Sequence, residues 1–177
     1  MLKSVEHKMV DLKARVPDLR VVREKLEELE AQPVGTFHQV DTYFEIPKGR
    51  LKLRETEGKN TAQLVYYERK NSAGPRGSDV FILEMSKQTD FRNALKKIVK
   101  TKVTVDKIRE ILRYEGTQVH LDTVKELGTF IEFERIVSGG AYSISKGRRV
   151  LEKLMKKLGV TPESLEKMSY SDLLALR

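Results

Sequence analysis

Glu132 and Glu134 stand two residues apart in the stretch GTFIEFERI, Gly128 to Ile136. Side chains alternate across a strand, so the two carboxylates share one face, roughly 7 Å apart. Such a pair is either solvated on an outer sheet face or holds a hard divalent cation. The other strands decide between these readings. Asp11, Lys13 and Arg15 alternate with Val10, Leu12 and Ala14, and Arg50, Lys52 and Arg54 with Leu51 and Leu53. Lys107, Arg109 and Arg113 share a parity in VTVDKIREILRY, and Gln118, His120 and Asp122 lie opposite Val119 and Leu121. Lys and Arg give charge-assisted hydrogen bonds to phosphoryl oxygens, Arg forking onto two at once. Carboxylates do not bind phosphate directly, but they hold Mg2+ or Mn2+, which does.

The elements that must position these groups are legible from period and punctuation. KMVDLKARV is a strand, followed by a helix over PDLRVVREKLEELEA with Leu19, Val22, Leu26 and Leu29 as its apolar stripe. TFHQVDTYFEI, GRLKLRETE and TAQLVYYERK form a meander, NSAGPRGS is a loop, and DVFILEMS is a further strand. TDFRNALKKIVK is a short helix with Phe91, Leu95 and Ile98 inward, and three strands follow: VTVDKIREILRY, TQVHLDTV and GTFIEFERIV. From Ser143 the pattern becomes an amphipathic helix ended at Gly159, then a capped helical tail over TPESLEKMSYSDLLALR. The expected architecture is α+β: antiparallel strands in a sheet that closes on itself, with helices at the joints. Helices need an apolar sheet surface, so they cover Val10, Leu12, Leu51, Leu53, Ile131 and Phe133 while the charged parity lines the interior. A dry interior crowded with Lys and Arg costs several kcal/mol per unpaired ion. It becomes tolerable with water, acidic partners, and a polyanion bound together with a metal ion.

The chain has 177 residues, read as a single domain over 1–177 with a helical segment from about 143. A net charge of +8 with 34% charged residues suits a polyanionic partner: a phosphate-rich metabolite, nucleic acid or acidic membrane. Nucleic acid is the weakest of these, because the aromatic fraction is 7% and the most regular basic positions point inward. Cysteine is absent, which excludes disulfides, thiolate metal sites and a cysteine nucleophile. No GxxxxGK[ST] motif occurs. The opening MLKSVEHKMVDLKARV lacks the apolar core of a signal peptide and no run spans a bilayer, so a cytoplasmic location without a membrane partner is expected. Arg15 and Arg113 lie at strand ends, Tyr43 and Tyr67 are read as packing residues, and His120 as a hydrogen-bonded structural residue, with a general base or a substrate contact as the alternatives. SKGRRVLEKLMKKLG is read as a solvated helix face.

Taken together, these residues resemble the CYTH domains, the triphosphate tunnel metalloenzymes that include class IV adenylate cyclases and thiamine triphosphatases. MVDLKARV resembles the family's N-terminal E-x-E-x-K signature. QVDTYF with GRLKLRE, LVYYERKN with GPRGSDV, and SYSDLL are similar to the class IV cyclase branch, and HLDTVKELGTFIEFE follows the late strand pair. The resemblance implies a closed, eight-stranded antiparallel barrel whose tunnel binds a triphosphate with Mg2+ or Mn2+. It implies substrate binding by Lys13, Lys52, Arg54, Arg69, Lys107, Arg109 and Arg113, with Lys13, Arg54, Lys107 and Arg109 catalytic. It implies metal binding by Asp11, Asp122, Glu132 and Glu134. The signature's first Glu is Met9 here, which removes one ligand and points away from a full two-metal site. The implied substrates are ATP, thiamine triphosphate or tripolyphosphate, turned over by cyclisation or hydrolysis, or held by a module without turnover. A homodimer is a reasonable assembly for such a barrel.

Overall fold

Period-two alternation dominates the chain, and the computed structural model turns it into eight strands. It describes residues 3–69, 71–86 and 89–177; Lys70, the expected last residue of one strand, lies outside them. The strands are β1 (Lys3–Arg15), β2 (Gln32–Phe44), β3 (Arg50–Thr56), β4 (Thr61–Glu68), β5 (Arg76–Ser86), β6 (Thr101–Tyr114), β7 (Thr117–Val124) and β8 (Gly128–Val137). They close into a barrel in the order β1-β5-β4-β3-β2-β6-β7-β8, each neighbour antiparallel. An eight-stranded barrel has a lumen just wide enough for side chains or one small ligand. The helices are α1 (Leu19–Glu28), α2 (Thr89–Ile98), α3 (Ala141–Lys157) and α4 (Tyr170–Ala175).

The main apolar core lies outside the barrel. Val10, Leu12, Leu121, Ile131 and Phe133 point outward and are buried beneath Val22 and Leu26 of α1 and Leu151 and Leu154 of α3. Each such side chain contributes about 1.5–3 kcal/mol on burial, so the helices hold the sheet with its charged face inward. Asp18 caps α1 by accepting a hydrogen bond from the Arg20 backbone at 2.8 Å. Gly147 lets α3 approach closely: a Cβ there would meet Val137 at 3.0 Å and Val10 at 3.3 Å. A second cluster, with Tyr43, Val105 and Phe130, lies inside one end of the barrel and is capped by Tyr170 of α4. Among the described residues no helix is long and apolar enough to cross a membrane.

Three sequence expectations change. β5 begins at Arg76, inside the stretch expected to be a loop, because Arg76 pairs across to Asp11 of β1. Ile98 is 80% exposed rather than inward, while Phe91 and Leu95 do pack on the sheet. The tail is not one helix: after α3 comes a single 3-10 turn at Pro162–Ser164, and Leu165 then bridges Ala14 as an extended residue. The Glu166 backbone donates to the Lys13 carbonyl at 2.9 Å, and Ser169 caps the short α4. Tethering to β1 competes with helix and carries Ser169 and Tyr170 to the barrel mouth.

Candidate functional site in the barrel lumen

Strand register creates the site. Asp41 of β2 lies opposite Arg54 of β3, Asp11 of β1 opposite Arg76 of β5, Arg109 of β6 opposite Asp122 of β7, and Lys13 of β1 opposite Glu132 of β8. Directly opposed residues on one face are in contact distance, so each carboxylate meets a cation by pairing alone. Asp41 is the hub of the first group: it accepts from Arg54 at 2.8 Å, Lys107 at 2.8 Å and Lys52 at 3.0 Å. Burial opposes its ionisation, but Arg54, Lys107 and Lys52 outweigh it and hold the carboxyl well below the usual range. Burial, with Arg54 close by, pushes the Lys52 ammonium down to about 7 despite Asp41. Burial likewise brings Lys107 down to about 8, against the pull of Asp41. One carboxylate cannot satisfy three cations.

Asp11 forms a second group. It accepts from Arg69 at 2.6 Å, Arg76 at 3.0 Å and the Ser78 hydroxyl at 3.0 Å. The third group centres on Arg109, which forks onto Asp122 at 2.7 and 2.6 Å and reaches Glu132 at 2.6 Å. Tyr170 donates its hydroxyl to Asp122 at 2.7 Å, and its ring lies 3.6 Å from the Lys13 ammonium. Lys13 pairs with Glu132 at 3.0 Å. Burial opposes ionisation of Glu132, yet Lys13 and Arg109 hold its carboxyl well below the usual range.

These residues face a cavity of about 800 Å3, counting space open to solvent at its mouth. Asp11, Lys13, Lys52, Arg54, Arg69, Lys107, Arg109, Glu132 and Glu134 all line it, so the fold brings nine expected site residues together. Asp122 lies behind Arg109 and is fully buried. Arg113 does not join them: it lies exposed near the end of β6, one strand turn beyond the cavity. Arg15 is also outside, bonded to the Leu127 carbonyl at 3.1 Å and to Glu166. Tyr43 and Tyr67 line the cavity with Lys52 over both rings, at 5.5 and 5.9 Å. Met9, Val65, Val80 and Ile82, on β1, β4 and β5, add an apolar patch to the lining.

The acidic residues expected to hold a cation differ in the partners that already occupy them. Guanidinium groups take the oxygens of Asp11 and Asp122, and Lys13 and Arg109 likewise take those of Glu132, but only Glu132 converges with further ligand groups among the described residues. Among the described residues, His120, Glu132 and Glu134 are the group whose ligand atoms converge, all within 4.8 Å of one another. Glu134 has no Lys or Arg partner among the ion pairs of the described residues and is the carboxylate most available to a metal. The donor set, two carboxylates and an imidazole, suits a divalent ion.

Sequence reasoning missed Asp41, Arg76 and Tyr170. Asp41 shares a parity with Gln39 and Tyr43 and could have been found by listing that strand's inward face. Arg76 lies in GPRGSDV and Tyr170 in SYSDLL, stretches whose resemblance marks them, but neither residue shares an alternating strand parity with the other site residues in the sequence.

Comparison with known proteins agrees with this geometry. A protein of Methanocaldococcus jannaschii named "Putative adenylate cyclase MJ0240" is 26% identical over 178 residues, covering 94% of this chain and 98% of its own. The structure of PH1012 from Pyrococcus horikoshii superposes with a TM-score of 0.80 at 24% identity, over 93% of this chain and 98% of that one. A Hippeastrum protein, the "Putative adenylyl cyclase HpAC1" described as having a dominant triphosphatase activity, superposes with a TM-score of 0.62 at 17% identity, over 96% of this chain and 95% of that one. The CYTH domain model matches residues 5–170. The chain belongs to the CYTH domain family.

Proposed function

We propose that this tunnel binds the triphosphate of a small molecule and hydrolyses it with the help of a divalent metal. The observation that carries the reading is the surplus of basic groups: among the described residues seven buried or half-buried Lys and Arg side chains (Lys13, Lys52, Arg54, Arg69, Arg76, Lys107, Arg109) converge with five carboxylates (Asp11, Asp41, Asp122, Glu132, Glu134). A bound phosphate chain supplies the missing negative charge. Lys52, Arg54 and Lys107 bind and orient the phosphoryl oxygens, since they already share a single acceptor. Arg109, two residues from Lys107 on β6, and Lys13 on β1 face the same space and stabilise charge that grows on the phosphate oxygens as the bond breaks. A divalent ion, when bound by the Glu132 and Glu134 side, supplies Lewis-acid polarisation of a phosphoryl oxygen. Water attacks the terminal phosphorus, the bridging P–O bond breaks, and orthophosphate leaves with the diphosphate and one proton as the remaining products. The apolar patch at Met9, Val65 and Val80 suits an organic group attached to the phosphates.

Hydrolysis is preferred to cyclisation because the Met at position 9 and the pairing of Asp11 leave a single cluster for a cation, whereas the tunnel's basic side is intact. Phosphorus NMR of the protein with ATP or tripolyphosphate, and Mn2+ or Mg2+, tests this. Orthophosphate is expected, and its release is lost in the Lys52→Ala/Arg54→Ala variant. Pyrophosphate with cyclic AMP would assign a cyclase instead, and tight binding with no product would assign a binding module.

A further inference from the structure

We infer that His120 is a nitrogen ligand, with Glu132 and Glu134, for a single first-row transition ion, so that the tunnel selects such an ion over Mg2+. This rests on the metal-dependent reading above and adds the identity of the metal.

The His120 ring is 98% buried in the lumen wall. Its Nε2 lies 3.2 Å from Gln118 Oε1, an atom that can only accept, so Nε2 carries the hydrogen. In the neutral ring Nδ1 then presents a lone pair. That atom is buried with no hydrogen-bond partner, and faces Glu134 at 3.7 Å and Glu132 at 3.9 Å. Two carboxylates facing this nitrogen call for a positive charge between them, a proton on the ring or a metal ion that replaces it. A metal-binding histidine usually donates its other ring nitrogen to a carbonyl or carboxylate, and Gln118 does this here. Donors about 2.1 Å from an ion lie about 3 Å apart when adjacent and about 4 Å when opposite. Small side-chain rotations therefore bring the three groups into range.

Glu132 already accepts from Lys13 and Arg109 and takes part by sharing its oxygens, and no other group of three ligand residues converges among the described residues. Asp11 is held by Arg69 and Arg76, Asp122 by Arg109 and Tyr170, and Asp41 by three cations. Met9 lines the cavity with a thioether where an acid would add a hard ligand. Mg2+ prefers an all-oxygen shell, whereas imidazole favours first-row transition ions over Mg2+. The surplus of basic groups means the ion enters with the phosphate chain rather than alone.

The test is pulsed electron paramagnetic resonance of Mn2+ bound in the presence of tripolyphosphate. The chain has three histidines, His7, His38 and His120. Imidazole nitrogen modulation is expected in the wild type and in His7→Asn, and it disappears in His120→Asn. Mg2+ competition for the Mn2+ site is expected to improve about tenfold or more in His120→Asn. Should that variant fail to fold, modulation that survives in both His7→Asn and His38→Asn leaves His120 as its source. Bound Mn2+ without nitrogen modulation, modulation lost in His7→Asn instead, or tripolyphosphate bound with no Mn2+ would each overturn the inference. Modulation from His120 in a protein that turns over no triphosphate would leave the inference standing and remove the hydrolytic reading.

Discussion

Asp41→Asn is the most informative single substitution, because one carboxylate serves three cations. Asp41 is 1% exposed and accepts from Lys52, Arg54 and Lys107 at 2.8–3.0 Å. Removing one partner from a buried ionic group costs about 3–5 kcal/mol. In a chain of this size, 1 kcal/mol moves Tm by about 2–4 °C, so a fall of roughly 6–20 °C is expected near pH 6.5. The loss should shrink at pH 9. Lys52 and Lys107 already titrate near 7 and 8, and without Asp41 both shed their protons more readily, leaving Arg54 as the only obligatory charge. Tripolyphosphate should restore part of the lost Tm, since a bound polyanion replaces the missing carboxylate. Thermal unfolding at the two pH values, with and without tripolyphosphate, measures all three effects. A fall under 2 °C, an equal fall at both pH values, or no rescue would refute this account of the lumen.

The depressed lysines have a separate signature. Their folded pKa values, about 7 and 8, lie below 10.5, so between these limits the unfolded chain binds more protons and the stability of the free protein rises with pH. Phosphate binding favours the ammonium forms, so tripolyphosphate should be bound with proton uptake at pH 8 and more weakly as pH rises, as calorimetry in buffers of different ionisation enthalpy will show. Glu134→Gln should abolish metal-dependent turnover while moving Tm by less than about 2 °C, because Glu134 is part-exposed and no guanidinium depends on it. Tyr170→Phe removes a buried bond to Asp122 worth about 1.5–3 kcal/mol, and Tm should fall by several degrees.

The barrel and its inverted polarity were legible because charged and apolar residues alternate so regularly: Lys52 and Arg54 against Leu51 and Leu53 cannot both be satisfied unless one face is covered and the other wet. What could not be read was which cation each carboxylate meets. Asp11 and Asp122 carry the right chemistry for a metal, but the residues that take their oxygens, Arg76 and Arg109, lie on other strands and are brought opposite by register. Asp41 was overlooked because QVDTYF offers one acid among neutral neighbours, although its burial makes it the most connected anion in the lumen. The tail reads as a capped helix, whereas a 3-10 turn at Pro162–Ser164 and the tethering of Leu165 and Glu166 to β1 come before the short α4. Local propensity yields there to a tertiary contact.

The central claim is that the inward cations form one triphosphate clamp. A crystal soaked with tripolyphosphate and Mn2+ tests it most directly. The account predicts a phosphate chain inside the barrel, within hydrogen-bond distance of Lys52, Arg54, Lys107 and Arg109, with Asp41 still beneath it. Phosphate found only on the outer basic face of α3, with the lumen cations keeping their present partners alone, would contradict it.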